Sequence, residues 1–293
     1  MRLALLLAAV IGVATPHPPH PPHMPRIPRT APRDPSHAPV GSKAKRLVIV
    51  DAGHGGPDNG MHGPIGGKFK ILEKDITLAV SQRLARTLEE RGMDVVMTRT
   101  TDTLIALSDR GRIANRRKGD LFISIHVNAA NPGWKDPGGA RGFETYFLAE
   151  AKTEDAKRVA QMENDVVRFE TSNGPAPSDD ALGFILNDMA QNEHLRESSD
   201  LAELIQERLR TIHPGPSRGV KQAGFRVLVT AYMPAVLVEI GFGTNPTEAA
   251  YINSGAGQEK ISNAVADAAV AYLARYERRR GPADATTTLA RKP

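Results

Sequence analysis

The sequence predicts an α/β fold: a single mixed, largely parallel sheet flanked by helices on both faces. Three observations carry this. Short β-branched runs such as Val48-Ile49-Val50 and Ile123-Ser124-Ile125 read as buried strands. Between them lie stretches whose apolar residues recur at helical spacing, and that alternation builds parallel sheets through helical crossovers. The chain has 293 residues, 40% of them hydrophobic, enough to cover a sheet on both sides.

In chain order, Arg2 precedes an apolar segment from Leu3 to Ala14 with small residues at Gly12 and Ala14. This is too short to span a bilayer, so residues 1–14 are expected to be a secretory signal peptide, an uncleaved anchor being the alternative. Residues 15–44 read as a Pro/His-rich linker, where dense proline prevents helix and sheet. Its His17, His20 and His23 can bind metal weakly, but polyproline geometry does not converge their rings, so a solvated spacer is the plainer reading.

Residues 46–51 are expected to form the first strand. Ile76, Val80, Leu84 and Leu88 place a helix over 73–91, stopped by Gly92. A strand follows at 95–98, a helix at 108–117 capped by Ser108, and strands at 121–126 and 142–148. Helical patterns run over 155–169, 181–189 and 201–212. Strands are expected at 225–229 and 235–240, then an amphipathic helix over 257–275. The tail, 278–293, is charged, Thr-rich and expected to be disordered.

The net charge of +5 and pI of about 9.5 favour an anionic polymer or surface as partner. No recognition motif accompanies the charge, so nucleic acid is not expected. There are no cysteines, which excludes disulfides, thiolate metal sites and thiol nucleophiles. Any metal site must come from His, Asp and Glu. No second apolar stretch approaches transmembrane length, so no stable membrane span is expected after signal cleavage.

Four polar residues stand where such a fold gathers ligands, beyond the carboxyl ends of strands. His54 follows the first strand in Asp51-Ala52-Gly53-His54-Gly55-Gly56. His126 ends the third strand, Glu73 opens the first helix, and Glu239 lies inside the apolar strand Val236-Leu237-Val238-Glu239-Ile240. Two imidazoles and a carboxylate leave an open position on Zn²⁺, and a further carboxylate can move the proton of a zinc-bound water. Each also has an ordinary reading: a turn histidine, a boundary histidine, a carboxylate complementing a helix dipole. Glu239 is the hardest to dismiss, because an unpaired buried charge costs several kcal/mol.

The blocks Val50-Asp51-Ala52-Gly53-His54-Gly55-Gly56, Glu73-Lys74-Asp75, Ser124-Ile125-His126-Val127-Asn128-Ala129 and Val238-Glu239-Ile240-Gly241-Phe242-Gly243-Thr244-Asn245-Pro246 resemble the signature blocks of zinc-dependent N-acetylmuramoyl-L-alanine amidases, the Amidase_3 family. The resemblance spans residues 46–276 in the family's order. It implies that His54, Glu73 and His126 bind Zn²⁺ and that Glu239 is the catalytic carboxylate. The implied reaction is hydrolysis of the amide between N-acetylmuramic acid and L-alanine of the peptidoglycan stem peptide. The catalytic domain is then residues 45–277. One departure is Gly66 to Leu72, longer than the link expected before Glu73. His62 falls there, matches no ligand position, and reads as structural or solvent-exposed.

A second departure is the stretch at about 150–198, which resembles the regulatory helical insertion of Gram-negative cell-division amidases. The resemblance implies a periplasmic enzyme acting in daughter-cell separation, with a helix covering the site until a periplasmic activator protein displaces it. A tethered carboxylate can occupy the open zinc position at high effective concentration, and Glu163 and Glu170 are both candidates. Helices that merely pack on the domain are the alternative. A monomer is expected. Rival functions are a zinc peptidase cutting within the stem peptide, a non-catalytic wall-binding module, and a zinc buffer based on the linker.

Overall fold

The computed structural model describes residues 45–170 and 193–280. The signal peptide, the linker and the helix expected at 181–189 lie outside the described residues, as does the tail beyond 280.

The elements are β1 (Leu47–Ala52), β2 (His62–Gly63), β3 (Ile71–Leu72), α1 (Glu73–Glu90), β4 (Asp94–Met97), α2 (Leu107–Arg117), β5 (Leu121–Asn128), β6 (Phe143–Leu148), α3 (Glu154–Asn164), α4 (Glu193–Arg210), β7 (Ser217–Ala223), α5 (Arg226–Val229), β8 (Ala235–Phe242), α6 (Pro246–Asn253) and α7 (Gly255–Arg280). Six strands form one sheet in the order β4-β1-β5-β8-β6-β7. All neighbours are parallel except β8 and β6. The expected mixed, largely parallel sheet is therefore present.

The central strands β5 and β8 are buried along their whole length, which explains their nearly unbroken apolar sequences. Alternate side chains divide between two cores. Val48, Val50, Ile123 and Val238 pack with residues of α1, α4 and α7. Ile49, Phe122, Tyr146 and Leu237 pack on the other face with Ala114 of α2, Val159 of α3 and Leu228 of α5. Burying each such side chain contributes about 1.5–3 kcal/mol. β1, β5 and β8 run in the same direction, so their carboxyl ends open on one edge. The long link before Glu73 folds back as the β2–β3 ribbon, pairing His62 with Leu72.

Several elements differ from expectation. Residues 225–229 were expected as a strand, but α5 is a helical turn with Val227, Leu228 and Val229 all buried; a short apolar run has no decisive period. The strand lies earlier, at β7, an edge strand whose half-buried Ser-Arg-Gly-Val-Lys-Gln pattern carries little apolar alternation. Ser108 does not cap α2. The cap residue is Ala106, without a side-chain bond, and Leu107 N donates to Glu170 Oε1 at 2.8 Å instead. The pattern over 155–169 is α3 followed by a 3₁₀ segment, Asp165–Phe169. α4 begins earlier than expected, and α6 precedes the final helix, with Asn245 accepting from Thr247 N and Glu248 N and Pro246 at its first turn. α7 runs to Arg280, so 278–280 are helical.

Candidate metal centre

After β1 the chain turns sharply at His54, a non-glycine residue in the left-handed region (φ 60°). Gly53 is required beside it, since a Cβ there would lie 2.5 Å from the His126 ring. Two buried guanidinium groups hold the turn by its carbonyls. Arg110 donates to Ala52 O at 2.7 Å and His54 O at 3.0 Å, and Arg99 to Ala52 O at 3.0 Å and Gly53 O at 2.7 Å. Asp51 supplies countercharge, accepting from Arg110, Thr98 and Ser124. Burial alone would raise its pKa, but Arg110 and the two hydroxyls hold it below the ordinary carboxylate value.

The His54 ring is oriented from behind, Nδ1 lying 2.6 Å from Asp58 Oδ2. Glu73, first residue of α1, accepts from Met61 N on Oε2 and from Val127 N on Oε1, both at 2.8 Å. His126 projects from β5 and is the cross-strand partner of Glu239 on β8. The structure thus brings together all four residues singled out from the sequence. His62 is exposed on β2 and stands outside the group.

A fourth donor enters from α3. One ligand atom each of His54, Glu73, His126 and Glu163 lie within 4.8 Å of one another, and all four residues are buried. Glu163 Oε2 is 3.0 Å from His54 Nε2 and 2.7 Å from His126 Nδ1; Glu73 Oε1 is 3.0 and 3.2 Å from the same nitrogens. Despite these distances, His54 Nε2, His126 Nδ1 and both Glu163 oxygens make no hydrogen bond. Four donor atoms thus crowd together without bonding one another. Tetrahedral ligands about 2.0–2.1 Å from a metal stand roughly 3.3 Å apart, so the donor set fits one cation. Of the two insertion carboxylates weighed, Glu163 enters the cluster and Glu170 binds the start of α2.

Electrostatics agree. Burial pulls the His54 pKa down, yet Glu73, Glu163 and Asp58 outweigh it and hold the pKa well above the usual histidine value. His126 is pushed up to about 9 by Glu163 and Glu73 against the same desolvation. Glu73 is lowered despite burial, by His54 and His126. Such a cluster stabilises positive charge, which protons supply without a metal. Glu239 is different: fully buried, with neither oxygen hydrogen-bonded, its pKa is raised by burial and by Glu163, Glu73 and Glu144. Beside the cluster remains a cavity of about 230 Å³, lined by Asp58, Met61, Met162, Glu163 and Arg168 among others. That is below the roughly 300–1,000 Å³ usual for ligand sites.

Sequence reasoning missed Asp58, Arg99 and Arg110. Asp58 had a readable signal, a carboxylate four residues after His54 in the same loop; the arginines, 45 and 56 residues away from His54, had none.

The fold and the cluster define an α/β chain with a buried His/Glu centre at one sheet edge, suited to hydrolysis. The chain belongs to the N-acetylmuramoyl-L-alanine amidase family (Amidase_3), which it matches over residues 48–271. It is 34% identical over 234 residues to the N-acetylmuramoyl-L-alanine amidase AmiA of Escherichia coli K12, covering 79% of this chain and 78% of that protein. Its fold is similar to the N-acetylmuramoyl-L-alanine amidase of Clostridium difficile 630 (TM-score 0.58, 27% identity, 80% of this chain and 99% of the other). It is also similar to AmiC2 of Nostoc punctiforme (TM-score 0.56, 27% identity, 79% and 99%). The chain is an N-acetylmuramoyl-L-alanine amidase.

Proposed function

We propose that this amidase is zinc-dependent, that it cleaves peptidoglycan between N-acetylmuramic acid and L-alanine, and that α3 holds it inactive. His54, Glu73 and His126 are the zinc ligands and Glu239 is the catalytic carboxylate. The observation that carries this reading is the convergence of unbonded His54 and His126 nitrogens with Glu73 next to an unpaired, buried Glu239. Bound there, zinc would polarise the scissile carbonyl and lower the pKa of water to about 7. Glu239 accepts a proton from the attacking water and returns it to the departing amino group of L-alanine. Its free lone pairs and raised proton affinity suit both halves of that transfer. The products are the lactyl carboxylate and the free stem peptide.

In the covered state Glu163 takes the place that water and the scissile carbonyl need. Autoinhibition, relief by a periplasmic activator, and a part in daughter-cell separation rest on this placement together with the likeness of the insertion to that of cell-division amidases. A periplasmic location fits the N-terminal apolar segment, and no helix among the described residues is long and apolar enough to cross a membrane.

Purified peptidoglycan tests the reaction. Zinc-loaded protein uncovered by Glu163→Gln should release free stem peptides and intact glycan, identified by mass spectrometry. The same protein carrying Glu239→Ala as well, or treated with chelator, should release neither. Peptide fragments cut internally would establish a peptidase instead, and equal release by all three preparations would sink the zinc mechanism. Glu163→Gln should raise the basal rate; an unchanged rate in a folded variant removes the autoinhibitory role.

A further inference from the structure

α3 covers more than the metal cluster. Asp155 precedes Glu163 by eight residues, about 12 Å along the helix at roughly 1.5 Å per residue. Its Oδ2 lies between two cations of β7, 3.0 Å from Arg218 Nη2 and 3.5 Å from Lys221 Nζ. The same cations contact Glu144, a fully buried carboxylate on β6, Arg218 Nε at 3.2 Å and Lys221 Nζ more closely. Glu144 is the cross-strand partner of Glu239 and accepts from Asn128. The two cations therefore reach onto the sheet face that carries Glu239.

Charge decides what the pair is for. With α3 in place, Arg218 and Lys221 are balanced by Glu144 and Asp155. Without Asp155, two cations share one buried carboxylate, and one positive charge is left over in a partly desolvated cleft. A guanidinium beside an ammonium, both already oriented by Glu144, is suited to a carboxylate. Arg158, which also pairs with Asp155, sits on α3 and would leave with it.

We propose that Arg218 and Lys221 form a subsite for a carboxylate of the stem peptide, and that Asp155 occupies it as a stand-in while α3 covers the centre. This rests on the reading of α3 as a cover. The rise of about 12 Å along α3 between its two carboxylates corresponds to three or four residues of extended chain. The recognised carboxylate then belongs to the peptide beyond L-alanine, not to the sugar. The inhibitory helix mimics substrate at two points, the metal and the peptide carboxylate.

The test uses the zinc-loaded full chain carrying Glu163→Gln and two N-acetylmuramoyl tetrapeptides. One has free carboxylates; in the other they are converted to primary amides. The acidic substrate should show a kcat/KM about 10-fold higher, mostly through KM, the size of one charge-assisted hydrogen bond. Adding Arg218→Gln, and separately Lys221→Gln, should bring that ratio toward one, while Arg218→Lys should retain part of it. Each single substitution leaves Glu144 one cation, and thermal melts check folding. Equal kcat/KM on the two substrates, or a ratio untouched by both substitutions, overturns the subsite. Failure of the cover looks different: Glu163→Gln then gives no higher rate than wild type on either substrate, whatever their ratio.

Discussion

The three inner residues of the cluster and the fourth are held in opposite ways. His54, Glu73 and His126 belong to the sheet edge and are fixed from behind: Asp58 orients one imidazole, two backbone amides grip Glu73, and His126 lies within β5. Glu163 has no hydrogen bond of its own and depends on where α3 lies. α3 packs Ala156, Val159 and Ala160 on the core of its face, and its polar attachments are few: Asp155 to β7, Asn164 to Gly224 O and Arg226 N, and the following Glu170 to Leu107 N. On the proposed reading of α3 as a cover, three donors are built into the fold, whereas the fourth is delivered by an element that can leave. Ligands held by rigid elements persist; a carboxylate on a tether competes at its effective concentration and can be displaced.

The largest effect should separate the two kinds of donor directly. Removing even the orienting partner of a metal-bound histidine typically costs 10–100-fold in affinity. His126→Ala should therefore weaken zinc binding by at least about 100-fold and abolish hydrolysis. Glu163→Ala should keep the metal, within about tenfold of wild-type affinity, and raise the basal rate. Chelator competition and metal content measure the first quantity, peptidoglycan release the second. If Glu163→Ala loses zinc as His126→Ala does, α3 is part of the metal site and not a cover.

A smaller effect should come from the attachments of α3. Asn164 makes two hydrogen bonds to the β7–α5 junction, 2.9 Å to Gly224 O and 2.8 Å from Arg226 N. Each is worth about 1 kcal/mol, so Asn164→Ala should shift the closed-to-open ratio by roughly 5- to 30-fold. Glu170→Ala should act in the same direction more weakly, because Glu170 makes one such bond and Asn164 two. Hydrogen exchange in α3 should rise in both variants in step with basal hydrolysis. Faster exchange with unchanged hydrolysis would separate the motion of α3 from inhibition.

What the sequence disclosed follows the same division. His54, Glu73, His126 and Glu239 could be singled out because each stands at a break in a local pattern: a glycine turn, a helix start, a strand end, a charge inside an apolar run. Their roles came only from the resemblance of the blocks around them. Their supports could not be singled out. Arg110 reaches Asp51 across 59 positions and Asn164 reaches Gly224 across 60, and no period or turn code links residues so far apart. β7 was missed because an edge strand needs no apolar alternation. Glu163 and Glu170 could not be told apart, since both follow the same helical pattern; only the change from α helix to 3₁₀ after Asn164 sends them to different places.

The last predicted effect, on stability alone, compares two buried carboxylates that each have two backbone N–H partners. Glu73 and Glu248 each accept two amide N–H bonds, Glu248 from Gly142 at 2.6 Å and Phe242 at 2.7 Å. Yet Glu73 is lowered by its imidazoles, whereas burial pushes Glu248 up to about 7, its two amides and the charges of Arg141 and Arg218 only partly opposing. The nearest ring to Glu248, His213, brings no cation: its Nδ1 accepts from Gly215 N, and burial lowers its pKa. Two amides and guanidinium charges at a distance therefore do not keep this buried carboxylate ionised; imidazoles in contact keep Glu73 so. An unfolded glutamate titrates near 4.3. Between there and about 7 the folded state holds a proton that the unfolded state has released, so this residue makes stability fall as pH rises through that window. Glu248→Gln should remove that decline, on the order of 1–3 kcal/mol between pH 4 and pH 8, read from urea midpoints. If the wild-type decline persists in Glu248→Gln, it originates in another group, and the difference in contacting cations does not explain the contrast with Glu73.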